Sequence, residues 1–321
     1  AAAEAAPAAA TAASAAASGE ASGSGEAPAA PPKSDFDKVS TYAGNGHPGT
    51  NDGPPQQASF FDPSGLAVDA SGTAYVSDAA SHTIRRISPA GEVTTLAGNG
   101  KPGNADGKGS AAQFAFPYGI AVGPDGNLFV ADSGNHKVRV VSTGGDVRTL
   151  AGTGTLGYRD GSGHSAMFSH PTDIAVDGEG TIFVADRGNH RVRKVTSKGT
   201  VSTFAGNGQN AVTDGKGAAA SFSWPNSITV DPTAPRGPIY VSDTFTFRVR
   251  KITRDGMTKT IAIGEAPIAG APIKDDDDTR TNTLLSLALD ARSGYIYVAE
   301  QSNNCIRRLS IDVPCVYQRA T

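Results

Sequence analysis

The sequence has little of what marks several common protein classes. Its only two cysteines are Cys305 and Cys315, so a single disulfide is an open alternative, whereas a disulfide framework or a cysteine-rich zinc site is excluded. No stretch approaches the ~18 consecutive apolar residues of a spanning helix. The most apolar stretch, 261–273, is interrupted by Glu265 and two prolines. We therefore expect no transmembrane segment, and membrane association only through a partner.

The charge balance also lacks a basic excess. The formal net charge is −3 and the isoelectric point is about 6.1, so nothing in the overall charge attracts polyanions. An RNA-binding role would need a basic face that this balance does not predict. We expect no nucleic-acid partner.

The first 35 residues lack any aromatic side chain and contain mostly Ala, Ser, Gly, Pro and Glu. Such a segment cannot bury enough apolar surface to offset its ordering entropy, so residues 1–35 are predicted to be a flexible tail. The tail has no arginine, unlike an intact transit peptide, and no long apolar core, unlike a signal peptide. The absence of an initiator Met fits a processed or truncated chain. The compartment stays open, with an organelle or an extracytoplasmic space as alternatives.

What is present is a repeat. The motifs VSTYAGNG, VTTLAGNG, VRTLAGTG and VSTFAGNG begin at Val39, Val93, Val147 and Val201, which gives a period of 54 residues. A degenerate fifth copy begins at Met257. A fixed period of this size indicates a solenoid, a propeller or a similar array.

Each period predicts four antiparallel strands, because short β-branched and aromatic runs alternate with Asp-Gly, Gly-Gly and proline-containing turns. Four-stranded units repeated about an axis form a β-propeller. The chain starts with a lone fourth strand, 39–44, and ends with a three-strand set, 287–309. We expect these terminal pieces to complete one blade between them, which closes a ring of five blades.

The pattern PxxIAVDxxGxxYVADxxNHRVRK, followed by VxTLAGxG and DGxGxxAxF, resembles the NHL-repeat family over residues 39–310. The resemblance implies an all-β fold with a single β-propeller. Propellers of this family often have six blades, so six is the alternative to the count of five. The predicted domains are a tail at 1–35, a propeller at 36–310 and a C-terminal extension at 311–321.

Histidines recur at one turn position, as His82, His136 and His190. Strands lie ~4.8 Å apart, so equivalent turns on a five-fold ring would be roughly 14 Å from each other. Two histidines on one zinc must each bring a nitrogen within ~2.1 Å of the metal. We therefore interpret them as turn and packing residues. Phe247 and Asn304 occupy the position in the other copies.

Two acidic patterns also repeat, one in all five copies and the other in four. The second strand ends in an acid and the third carries an arginine seven residues later, as in Asp132 and Arg139. A pair that recurs in each blade predicts a structural contact rather than a catalytic one. The Asp-Gly pairs of the long connections are interpreted as Asx-type turns, with cation binding as the alternative. These acids are Asp52, Asp106, Asp160 and Asp214.

The copies differ around the proline that begins each first strand. The preceding residue is Asp62, Phe116, His170 or Trp224, with Thr283 in the fifth copy, and the following one is Ser64, Tyr118, Thr172, Asn226 or Leu285. We expect these positions at the mouth of the channel, on the face with the long connections. Aromatic anchors with a few polar groups are typical of a binding site. The predicted binding residues are Phe116, Tyr118, His170, Asp173, Trp224 and Asn226.

An alternative is that these bulky residues only plug the ring. The acidic run at 274–280 is interpreted as a solvated loop, with a cation or a basic partner as the alternative.

These features predict a non-catalytic scaffold with a protein partner, no cofactor and no metal. The alternative is a propeller enzyme, a lyase or hydrolase with a metal in its channel. The chain is similar to peptidyl-hydroxyglycine lyases in its repeats, but those enzymes place metal-binding histidines just after the first-strand proline. Here that position holds Ser64, Tyr118, Thr172 and Asn226, and His170 precedes its proline. No catalytic residue is therefore assigned.

Overall fold

A computed structural model of the chain describes residues 40–231, 236–246, 248–263, 284–290, 295–300 and 305–310. All strands lie within residues 41–321, one of the two units into which the chain divides. Among the described residues no helix is long and apolar enough to cross a membrane. Phe247, the run 274–280, Thr283, Asn304 and Cys315 lie outside the described residues.

The strands form five antiparallel sheets, which follow one another along the chain. In order they are β1 (Pro63–Val68), β2 (Ala74–Asp78), β3 (Thr83–Ile87), β4 (Val93–Ala97), β5 (Gly107–Lys108), β6 (Pro117–Val122), β7 (Leu128–Asp132), β8 (Lys137–Val141), β9 (Asp146–Ala151), β10 (Pro171–Val176), β11 (Ile182–Asp186), β12 (Arg191–Val195), β13 (Val201–Ala205), β14 (Gly215–Lys216), β15 (Pro225–Val230), β16 (Ile239–Asp243), β17 (Arg248–Ile252), β18 (Met257–Ile263), β19 (Leu284–Asp290), β20 (Tyr295–Glu300) and β21 (Cys305–Ser310).

Sheets 1 to 5 comprise β1–β4, β5–β9, β10–β13, β14–β18 and β19–β21. Within each sheet the long strands pair with their neighbours in sequence, and the two-residue strands β5 and β14 add to the outer edges of β9 and β18. Short 3-10 turns follow β7, β11 and β16. The long strands of sheets 1 to 4 are the four antiparallel strands predicted for each period.

The first strands of the sheets, called the inner strands here, lie side by side in the order β1, β6, β10, β15, β19. Each begins at or near a β-bulge, as between Pro171 and Asp173. The second strands are buried along their full length in sheets 1 to 4. In sheets 2 to 4 a neighbouring sheet covers each face, which is why these runs show no polar alternation. In sheet 1 the N-terminal residues Ala43, Ala58 and Phe60 pack against Ala74 and Val76 of β2.

The interface between successive sheets repeats one packing pattern. Ala121 and Phe129 of sheet 2 pack against Ile174, Val176 and Val184 of sheet 3. Sheet 3 presents Ala175 and Phe183 to Ile228 and Val230 of sheet 4 in the same way. A small residue and an aromatic ring therefore meet an aliphatic pair at each junction.

A buried arginine holds each of the first four sheets to its long connection. The arginine donates to the acid at the end of the second strand, with distances of 3.4, 2.7, 2.6 and 3.0 Å for Arg85–Asp78, Arg139–Asp132, Arg193–Asp186 and Arg250–Asp243. Its other terminal nitrogen donates to the Asp-Gly acid, at 2.6, 2.8, 2.6 and 3.0 Å for Asp52, Asp106, Asp160 and Asp214. Each guanidinium also lies over a phenylalanine ring, as Arg139 does over Phe114 at 5.1 Å.

This contact confirms the structural interpretation of the acid–arginine pairs in four sheets. It corrects the interpretation of the Asp-Gly acids, which do more than shape a turn. Asp106, for example, accepts hydrogen bonds from the backbone and hydroxyl of Thr149 in addition to those from Arg139. The carboxylates are held by protein donors, so these hydrogen bonds account for their repetition without a bound cation.

The two ends of the row of sheets are uncovered. Leu66 and Val68 of β1 are 66% and 57% exposed, whereas Ile120, Ile174 and Ile228, the counterparts of Leu66, are 6%, 3% and 4% exposed. At the other end, Ala288 and Tyr297 of sheet 5 are exposed. These two faces carry the residue types that meet at every internal junction.

Residues 42–45 lie where the fourth strand of a preceding sheet would lie. Gly44 N–H donates to Pro55 O at 2.7 Å and Asn45 N–H to Ala58 O at 2.9 Å, and the counterparts Gly206 and Asn207 donate to Gly217 and Ala220 of the next repeat at 3.0 Å each. Residues 40–44 form no strand in the described part, and sheet 5 has three described strands. The described residues therefore show no strand pairing between the two termini.

Candidate functional site

The recurring histidines close the turns between the second and third strands. His136 and His190 follow the 3-10 turns Ser133–Asn135 and Arg187–Asn189 in the left-handed conformation, with φ of 53° and 51°, and His82 has φ of 55°. Asn135 donates to Asp132 at 2.8 Å and to Gly103 O at 2.7 Å, which ties the turn to the long connection. The predicted turn role of these histidines is confirmed.

Each histidine also contacts the next repeat. The Nδ1 atoms of His82, His136 and His190 accept a hydrogen bond of 3.2 Å from the backbone N–H of Phe116, His170 and Trp224, respectively. The paired rings lie 4.6–5.1 Å apart, nearly perpendicular to each other. Burial lowers the pKa of all three histidines. An accepting Nδ1 requires the neutral form with its proton on Nε2, so the geometry and the lowered pKa agree.

The residues that receive these contacts have strained backbones. Phe116, His170 and Trp224 have φ of 48°, 47° and 57°, and each precedes a proline. Positive φ is a genuine outlier for bulky residues, and strain of this kind is concentrated at functional sites. We call Phe116, His170 and Trp224 the rim. The rim lies on the side of the long connections and the histidine turns, as predicted.

The rim presents aromatic surface. Phe116 is 47% exposed, His170 is exposed and Trp224 is half-buried. Phe245, which is 51% exposed, lies 5.7 Å from Trp224 between ring centroids, and the Arg187 guanidinium lies 5.1 Å from the Trp224 ring. Phe245 and Arg187 were missed from the sequence. Phe245 stands where the turns of the preceding two copies have Gly134 and Gly188, and this departure from the repeat was the available signal.

The other three predicted residues lie on the inner strands rather than at the rim. Tyr118, Asp173 and Asn226 belong to β6, β10 and β15, and each is partly exposed. The backbone oxygen of Tyr118 accepts a hydrogen bond from Ser77 of sheet 1, and that of Asn226 accepts one from Thr172 at 2.8 Å. The structure thus divides the predicted site into an aromatic rim and a row of inner-strand residues that bridge successive sheets.

Asp173 has the most perturbed environment of the six. Burial of its carboxylate raises the pKa to about 6, against the hydrogen bonds from Ile228 N–H, the Ser227 hydroxyl and Ile174 N–H. The donor–acceptor distances are 2.9, 2.8 and 2.8 Å. The chemistry that this arrangement offers is a single buried carboxylate, which can accept hydrogen bonds and carry one negative charge.

Metal binding finds no support in the described residues, where no three His, Cys, Asp or Glu side chains are grouped closely enough to hold an ion. His136 and His170 are neighbours with ring centroids 4.6 Å apart. Their contact is the repeated turn contact described above, and it supplies two imidazoles only.

The repeats match a known family model. The NHL repeat matches residues 114–141 and 168–195. NHL repeat-containing protein 2 of Bos taurus is 33% identical over 316 residues, which cover 87% of this chain and 43% of that protein. Protein SUPPRESSOR OF QUENCHING 1, chloroplastic, of Arabidopsis thaliana is 32% identical over 166 residues, or 48% of this chain and 16% of that protein. The chain thus spans less than half the length of either relative.

Solved structures share the fold at low identity. A chain in the crystal structure of a nidogen/laminin complex is 17% identical with a TM-score of 0.55, and the match covers 79% of this chain and 77% of that one. A putative gluconolactonase is 16% identical with a TM-score of 0.53, covering 79% and 76%. The solved structures support the propeller fold, and the repeat match and the curated relative show that the chain belongs to the NHL-repeat family.

Proposed function

We propose that the protein is a non-catalytic platform that binds a protein partner through its long-loop face and its rim, as a subunit or accessory factor of a larger assembly. The observation that carries this proposal is the contrast between two sets of equivalent positions. The buried arginine, its two acids and the phenylalanine beneath it are the same in the first four sheets. The rim position holds Phe116, His170 and Trp224 in three of them, under backbone strain and with exposed ring surface.

Variation at a strained, exposed aromatic position favours recognition, because folding requires the same solution in every repeat whereas a partner does not. Aromatic residues are enriched at the energetic centres of protein interfaces. The addition of Phe245 and Arg187 beside Trp224 enlarges this surface at sheet 4. The inner-strand positions that follow the prolines hold Ser64, Tyr118, Thr172 and Asn226, which supply no imidazole and favour binding over metal catalysis.

One comparison supports a protein partner. The fold neighbour from the nidogen/laminin structure belongs to a protein complex.

We also propose that the propeller has five blades and is closed by its termini. The strand predicted at 39–44 would complete the last sheet by pairing with β21. Residues 42–45 already make the hydrogen bonds to the connection before sheet 1 that a preceding fourth strand makes elsewhere. Closure would bring Ala288 and Tyr297 against Leu66 and Val68, as Ala121 and Phe129 meet Ile174 and Val176 at an internal junction.

Affinity purification of the full chain followed by crosslinking mass spectrometry tests the platform. Crosslinks from a captured protein should cluster on the long connections and the rim. Phe116→Ala and Trp224→Ala should each weaken capture at least tenfold, since an anchoring aromatic residue contributes ~2 kcal/mol or more. Lys198→Ala is the control, because Lys198 is exposed in a short turn on the opposite side. The proposal would be overturned if neither rim variant changed capture of the partner. It would also be overturned if the protein bound stoichiometric zinc and His170→Ala released it.

A further inference from the structure

Asp173 occupies a position where the fold does not require a carboxylate. The equivalent positions of the other repeats are Gly65, Gly119, Ser227 and Ser286. All belong to inner strands whose register is irregular near the first residue of the strand. Three of the four full repeats form this bulge without an acid, so the bulge alone does not explain Asp173.

The carboxylate lies among three successive inner strands. One oxygen accepts the N–H of Ile174, and the other accepts the Ser227 hydroxyl and the N–H of Ile228. On its other side, a Cβ at Gly119 would collide with the Asp173 carboxylate, so the absent side chain of sheet 2 makes room for it. Sheets 2, 3 and 4 thus jointly build the pocket that holds this group.

Every donor to Asp173 is neutral. Among the described residues no charged side chain contributes to its pKa, and the causes are burial and the three hydrogen bonds. The buried acids at the ends of the second strands differ, because Asp78, Asp132, Asp186 and Asp243 each pair with an arginine. Asp173 is therefore a carboxylate without a counter-ion in the described part of the chain.

A cation binds more favourably to a desolvated carboxylate than to a solvated carboxylate, because water screens the attraction between the two charges less in a buried site. Ionisation is incomplete only near and below pH 6, the value to which burial raises the pKa. At neutral pH the carboxylate carries a negative charge, and the residue as a whole is partly exposed. Asp173 therefore combines a desolvated charge, balanced by neutral hydrogen-bond donors alone, with some exposed surface.

We propose that Asp173 binds an organic cation, the ammonium or guanidinium group of a lysine or arginine side chain of the partner, which enters past the rim. A metal ion fits poorly, because one carboxylate supplies too few ligands for a hard cation that takes six or more oxygens. Aromatic faces favour organic cations, and Trp224 of the rim already has the Arg187 guanidinium at its ring. This inference rests on the proposed function in one respect, namely that the cation belongs to a protein partner.

The test uses n-butylammonium and n-butylguanidinium as probes, with n-butanol as the neutral match. The full chain, labelled with 13C at the aspartate carboxyl carbons, is titrated with acid by NMR in the presence of each probe. Both cations should lower the Asp173 pKa by about one unit, which corresponds to ~10-fold tighter binding to the ionised form. n-Butanol should leave it unchanged.

Two variants separate the carboxylate from its scaffold. Asp173→Asn removes the charge and keeps the shape, and Asp173→Ser places the residue of sheet 4 at the same bulge. Either should weaken binding of the probe cations about tenfold and remove its pH dependence between pH 5 and 7. Where Asp173→Asn fails to fold, Asp173→Ser decides the result.

An Asp173 pKa that stays at its starting value with saturating n-butylammonium would overturn the inference. Equal binding of the cations by the wild type and by a folded variant would also overturn it. Failure of the proposed function is recognised separately. In that case Phe116→Ala and Trp224→Ala leave protein capture unchanged, while the probe cations still shift the Asp173 pKa.

Discussion

Closure of the ring makes a quantitative prediction at Leu66. In the structure this side chain is 66% exposed, whereas its counterpart Ile174 is 3% exposed beneath sheet 2. An exposed leucine replaced by alanine changes the free energy of unfolding by less than ~0.5 kcal/mol, the usual range for surface substitutions. A leucine covered by a neighbouring sheet loses about 2–5 kcal/mol when it is truncated.

Leu66→Ala should therefore destabilise the full chain by about 2–4 kcal/mol if sheet 5 covers β1. The measurement is chemical denaturation followed by tryptophan fluorescence, since the chain has a single tryptophan, Trp224. Ile174→Ala is the matched control, because its burial does not depend on closure. The two variants should lower the free energy of unfolding by similar amounts.

Contact with sheet 5 is tested by a double-mutant cycle. Tyr297 is 36% exposed at the uncovered face of sheet 5, and closure places it against Leu66. Substitutions of two residues in contact show a coupling energy of at least ~0.5 kcal/mol, whereas the effects of substitutions at separated residues on the free energy of unfolding add. Closure by the last sheet would be refuted if Leu66→Ala lowered the free energy of unfolding by less than ~0.5 kcal/mol while Ile174→Ala lowered it by the amount expected for a buried residue.

Three further predictions concern the tail, the arginines and the histidines. Deleting residues 1–35 should leave the thermal midpoint within about two degrees, because a segment of this composition contributes nothing to a core; a drop of about ten degrees in calorimetry would contradict the domain boundary. Arg139→Ala should lower the free energy of unfolding by about 3–5 kcal/mol, because it leaves Asp132, whose pKa burial already raises, without its cation. Urea denaturation would disprove the structural role of Arg139 if the variant were as stable as the wild type. Burial lowers the pKa of His136 from its ordinary 6.5, so its stabilising contact is complete above pH 6.5 and is lost as the pH falls through the lower folded-state pKa. His136→Asn keeps a residue type that tolerates positive φ and should flatten the fall in stability between pH 7 and 5, whereas identical pH profiles would show that the contact does not titrate.

The sequence by itself determined the repeat, the strands and the resemblance to the NHL family. A period of 54 residues and the turn residues between short apolar runs are local signals, and pairing of neighbouring strands follows from them because each turn brings its two strands together. The acid–arginine contact was also predictable, since a hairpin joins Asp132 to Arg139 across seven residues.

The tertiary structure decided which long-range contacts these local units make. Arg139 reaches Asp106 at a separation of 33 residues, and His136 reaches the backbone of His170 at 34. Neither follows from a pattern in one strand, because both depend on how one repeat packs on the next. The prediction of Asx turns for the Asp-Gly acids was incomplete for this reason.

The candidate site shows the same division. Its six residues were predicted from the sequence because three of the copies differ from one another around the first-strand proline. Their separation into a strained rim and a row on the inner strands depends on side-chain direction at the inner-strand bulge, and burial of the Asp173 carboxylate depends on three sheets meeting there. Local pattern determines which residues differ between repeats, whereas packing between sheets determines which of them become exposed, strained or desolvated.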